Sequence, residues 1–131
     1  MKYIIKITLL GILAILFIDT VGSITSNKLN FSYSYLSPIS FLIYTSIAFW
    51  VTREINRKTG ITIAALLGLI DATIGWKISI ALGANIENAT IEITLMTWTF
   101  TALFAAGIAA LFGLLGAWLA TKIGNNKNGQ P

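Results

Sequence analysis

Four runs of apolar residues are separated by short polar stretches along this chain. They are Tyr3 to Ile24, Pro38 to Thr52, Ile61 to Leu82 and Ile93 to Ala120. None alternates apolar and polar positions with a period of two, so none reads as a barrel strand. A helix rises about 1.5 Å per residue, and crossing a hydrocarbon layer takes about 20 residues. The first, third and fourth runs reach that length, and the second does so when "YSYLS" before Pro38 is added. Pro38 then falls in the first helical turn, where its missing N–H would have no partner in any case. In lipid every backbone polar group must be paired inside its own segment, which selects helix. The pattern therefore predicts helices over 3–24, 36–52, 61–82 and 93–120, followed by a basic polar tail over 121–131. The expected fold is a single all-α domain, a four-helix transmembrane bundle.

Composition changes this picture only by sharpening it. The chain of 131 residues is 56% hydrophobic and 11% charged, with a mean hydropathy of +0.80. Soluble domains carry about 25% charged residues, so the solvent for most of this surface is expected to be a lipid bilayer. The run over 3–24 also has the outline of a signal peptide, with Lys2 and Lys6 ahead of an apolar core and "VGS" as a small-residue cleavage site. The apolar stretch is long for that role.

Charge supplies orientation. Lys2 and Lys6 precede the first run, Arg53, Arg57 and Lys58 lie between the second and third, and Lys122 and Lys127 follow the fourth. These are seven of the nine cations, and in a four-pass chain all three segments share one side. Lys and Arg concentrate in short cytoplasmic loops, so both termini are expected in the cytoplasm. Nothing indicates a eukaryotic secretory pathway, and the expected location is a cell membrane, the inner membrane of a bacterium. The tripeptide Asn88-Ala89-Thr90 matches a glycosylation acceptor on the opposite side. Cations that cap apolar runs argue against a nucleic-acid surface. In "NKLNFSYSYLS", Phe31, Tyr33 and Tyr35 read as an interfacial aromatic belt, with a ligand platform as the sharper alternative.

The chain has no Cys and no His. That removes thiolate sites, the commonest general base and the commonest transition-metal ligand. No metal site, cofactor or enzymatic activity is expected.

Helices in lipid associate through close backbone approach at small residues. Ala105, Ala109, Gly113 and Ala117 form such a stripe in the fourth run, and Ala64, Gly68 and Ala72 form one in the third. The second run carries Ser40, Tyr44, Ala48 and Thr52 on one face, a stripe whose hydroxyls either bond their own backbone carbonyls or line the polar interior of the bundle.

Two acids interrupt the apolar runs. Asp71 lies ten residues past Ile61, about 15 Å deep and near the midplane. Gly68 and Gly75 share its face, so it is expected to point at another helix. Asp19 lies in the outer third of the first run, with Lys77 expected as its ion-pair partner. A charge at the bilayer centre costs about 2.5–3.5 kcal/mol on insertion scales. Asp71 is therefore expected to be a neutral hydrogen-bonding acid, a paired anion or a titrating group. Two functions follow: a structural or accessory role in a larger membrane complex, or a minimal oligomeric transporter or channel that uses Asp71 and Asp19 as a proton or cation site. A hydrated cavity meeting Asp71 would favour transport, and a dry interior would favour structure.

Overall fold

The computed structural model describes residues 2–86 and 94–125, the last of these by its backbone alone. The described residues form helices and contain no strand. Helix α1 is Lys2–Leu29. A short 3-10 turn, Tyr33–Leu36, leads into α2, Ser37–Glu54. Helix α3 spans Arg57–Ala81, and α4 is Leu95–Asn125. All four are long and apolar enough to cross a membrane.

The boundaries differ from the expected ones where polar residues find local partners. Helix α1 continues past Ile24 because Thr25 and Ser26 turn their hydroxyls back to the carbonyls of Val21 and Ser23, at 2.7 and 3.0 Å. It stops at Asn30, whose φ of 53° is left-handed, a conformation Asn tolerates at a helix end. Between α2 and α3 only Ile55 and Asn56 remain outside a helix. Asn56 accepts the Thr59 N–H at 2.9 Å, a side-chain cap that starts α3 at Arg57 rather than Ile61. Thr94 caps α4 by accepting from the Thr97 N–H at 3.2 Å. The glycosylation tripeptide and the end of the tail lie outside the described residues. Gly22 and Ser23, in the cleavage-like "VGS", are buried within α1.

Glycines set the helix register. A Cβ on Gly68 would stand 2.8 Å from the Ala105 carbonyl, and one on Gly113 would stand 2.7 Å from the Ala64 methyl. These contacts run α3 and α4 antiparallel along their small-residue stripes, with Ala109 and Ala117 fully buried. A Cβ on Gly60 would meet the Ala48 carbonyl at 2.7 Å, which locks α2 against α3. Phe41 stacks on Phe112 at 4.3 Å between ring centroids, and Gly116 abuts Thr45, so α2 and α4 run parallel. Gly11 of α1 packs against Ile47 and Leu67. Helix α1 meets α2 and α3 but, among the described residues, makes no contact with α4. The buried core draws Ile15 from α1, Val51 from α2, Leu67 from α3 and Ala109 from α4.

Candidate functional site: an acid pair beside a cavity

Helix α3 changes pitch at its first acid. Asp71–Gly75 form a π-helical segment between two α-helical stretches. The Trp76 N–H reaches back five residues to the Asp71 carbonyl. Single π turns inside α-helices recur at functional sites. Here the segment is braced from α4, where Trp98 Nε1 donates to the Ala72 carbonyl at 3.2 Å.

The π segment brings Asp71 to Asp19. Asp71 Oδ2 accepts a hydrogen bond from the Tyr44 hydroxyl of α2. Asp19 Oδ1 accepts one from the Tyr33 hydroxyl at 2.6 Å. Each acid thus has one oxygen held by a tyrosine. The remaining oxygens, Asp19 Oδ2 and Asp71 Oδ1, meet at Gly75. A Cβ at that position would stand 2.9 Å from Asp19 Cγ and 3.2 Å from Asp71 Oδ1. Glycine is required there because any side chain would take the space of the carboxyl group. Asp19 is only 1% exposed, and its Oδ2 receives no hydrogen bond from any donor among the described residues. Ser40, one turn before Tyr44, completes the cluster beside Asp71.

Two bare carboxylates about 4 Å apart repel by about 4 kcal/mol at an effective dielectric of 20. A proton between them converts that repulsion into a hydrogen bond, because a protonated carboxyl donates and a carboxylate accepts. The site can therefore hold one proton on two acids, with the tyrosines fixing the geometry from the outer sides.

Asp71 also borders an open cavity of about 560 Å³. The cavity extends from Ser32, Ser34 and Ile86, at the end of the bundle away from both termini, to Asp71, Tyr44 and Ile108. Asp19 is not among the residues that line it, so Asp71 stands between the cavity and the buried acid.

The expected ion pair between Asp19 and Lys77 is not formed. Lys77 follows Gly75 by two residues, about 200° around the helix, so it leaves α3 on the face opposite the acids. Its side chain is exposed, and its Nζ lies 4.3 Å from the centroid of the Trp98 ring. The partner of Asp19 is instead Asp71. Tyr33 is a second correction: it turns inward to Asp19 and does not serve the belt, whereas Tyr35 stays 72% exposed. A signal for Tyr33 was present in the sequence. It lies seven residues, two helical turns, before Ser40, and so extends the stripe of Ser40, Tyr44, Ala48 and Thr52 backwards across Pro38. Trp98 carried no comparable signal.

Gly68, Ala105, Ala109, Gly113 and Ala117 lie at helix contacts and not at the acids, while Gly75 belongs to the acid pair. Among the described residues no group of three or more His, Cys, Asp or Glu side chains is placed to hold a metal. No protein-family model matches this chain, and neither a curated protein nor a solved structure matches it.

Proposed function

We propose that this chain is a multi-pass protein of a cell membrane, with both termini cytoplasmic, and that its Asp19–Asp71 pair takes up and releases a proton within a transport cycle. The observation that carries this reading is the buried Asp19 Oδ2, which receives no N–H or hydroxyl donor among the described residues and faces Asp71, which in turn borders a cavity. A purely structural acid pair would lie in a closed interior, whereas Asp71 opens onto the cavity, which gives a proton held between the two acids a route in and out. The cations at the terminal end of the bundle support the orientation. Four helices can enclose only a narrow polar path, and a working carrier of this size is expected to assemble with a second copy, which a detergent-phase mass measurement would detect.

The second reading is a structural clamp in a larger membrane complex. The two tyrosine bonds favour it, since together they tie α1, α2 and α3 at one level.

Substitution at Asp71 separates the two. Asn keeps the shape and hydrogen-bonding capacity of a protonated acid but cannot ionise. In a transport cycle, Asp71→Asn folds normally and abolishes proton flux driven by an imposed pH gradient across reconstituted vesicles. In a clamp, Asp71→Asn is silent in every assay, while Asp71→Leu loses about 1–3 kcal/mol of stability by leaving Tyr44 unpaired. Wild-type flux in Asp71→Asn would overturn the transport reading.

A further inference from the structure

We propose that the cavity beside Asp71 binds a monovalent organic cation with an aromatic or bulky apolar body, and that its binding expels the proton shared by the two acids. This rests on the reading of the acid pair as a proton site and adds the class of molecule exchanged for that proton.

Charge selects the sign. Among the described residues Asp71 is, apart from the tyrosines, the only ionisable residue that lines the cavity, and no Lys or Arg lines it. An anion would meet a carboxylate with nothing to offset the repulsion. A cation would meet an acid pair that loses its proton in the same step.

Size and wall chemistry select an organic cation over an inorganic one. The cavity volume of about 560 Å³ falls in the range of small-molecule pockets, about 300–1,000 Å³. Phe41, Tyr44, Trp76 and Phe104 supply ring surfaces to its walls. Aromatic faces attract cations through the ring quadrupole, more strongly once water is excluded, and recognise onium groups in this way. A small metal ion needs several oxygen ligands converging on one point, whereas most of these walls are aromatic or aliphatic. The serines at the loop end, Ser32 and Ser34, keep the approach polar.

The exchange balances. Before binding, the two acids share one proton and carry a charge of −1. The arriving cation brings +1, the proton leaves to water in the cavity, and both acids become carboxylates. The site with its ligand again carries −1, and no other co-reactant is needed.

The experiment uses the full chain in detergent and tetraphenylphosphonium as the probe. Saturable binding is expected, with one proton released per cation bound in weakly buffered solution. The affinity should fall about tenfold for each unit of lowered pH while the acids remain protonated, as a one-for-one exchange requires. Phe104→Ala, whose side chain is 63% exposed and outside the core, should weaken binding without altering the carboxyl infrared band. Triphenylphosphine oxide, similar in body but neutral, should not compete. Equal competition by that compound, binding without proton release, or binding of sodium or magnesium in its place would each overturn the proposal. Absence of probe binding together with a carboxyl band that still titrates would overturn the organic-cation assignment and leave the acid pair standing. Absence of any titrating carboxyl band, in the presence or absence of probe, would overturn the acid pair as well.

Discussion

Gly75→Ala tests the geometry of the acid pair most directly. The added methyl would stand 2.9 Å from Asp19 Cγ and nearer still to Oδ2, closer than packed carbon atoms approach. Two escapes exist. Helix α1 can back away from α3, an overpacking response that costs about 1–3 kcal/mol. Alternatively the Asp19 carboxyl can rotate off Tyr33, giving up a hydrogen bond to a charged or proton-sharing group worth about 1.5–3 kcal/mol. The chain takes whichever is cheaper, so the two costs do not add, and a loss of about 1–3 kcal/mol is expected. In water Ala would regain about 1 kcal/mol over Gly in helix propensity. In a membrane the unfolded reference state keeps its helices, so that gain does not offset the loss. The control is Gly107→Ala, because nothing lies within 4 Å of a Cβ at that site, and its effect should stay within about 0.5 kcal/mol. Both variants can be measured by reversible unfolding in mixed micelles, with the infrared carboxyl band recorded in parallel. Equal stability of Gly75→Ala and wild type, with an unchanged band, would refute the close approach of Asp19 and Asp71.

Gly113→Leu should lower the yield and thermal stability of the folded bundle in detergent, since a Cβ alone already approaches the Ala64 methyl at 2.7 Å; unchanged melting would place that face against lipid. Trp98→Phe keeps an aromatic ring beside Lys77 but removes the donor to the Ala72 carbonyl, and should cost about 1–3 kcal/mol in the same unfolding assay. An effect within error would mean that the π segment needs no brace from α4. A reporter active only in the cytoplasm should work when fused after Pro131 and fail when fused near Asn88, and the reverse result would invert the proposed orientation.

The helices were legible in the sequence because each needs only a local condition, an apolar run long enough to satisfy its own backbone. The inward face of Asp71 was legible for a similar reason, since Gly75 marks it at helical spacing, whereas Gly68 marks the neighbouring contact with α4. The partner of Asp19 was not. Pairing depends on which helices are neighbours and at what height, and the height of Asp71 was counted from Ile61. The Asn56 cap starts α3 four residues earlier, at Arg57, which moves Asp71 about 6 Å further from the terminal end. That shift brings it level with Asp19. The inward turn of Tyr33 depends on the short 3-10 entry to α2, a backbone detail to which the apolar pattern is blind. The π segment likewise leaves no mark in hydropathy.

Helix α1 touches two of its three fellow helices, and it alone brings Asp19 to the site. The acid pair therefore has one member on the packed trio of α2, α3 and α4 and the other on a helix seated against only one side of that trio. If the pair exchanges a proton as proposed, proton affinity and helix docking become a single reciprocal equilibrium. Any displacement of α1 changes the spacing of the two carboxyl groups and so changes how tightly they hold their proton. By the same necessity, gain or loss of that proton changes how firmly α1 is seated. On the proposed reading, a charge of one unit exchanged deep in the bundle would be converted into the position of a whole helix.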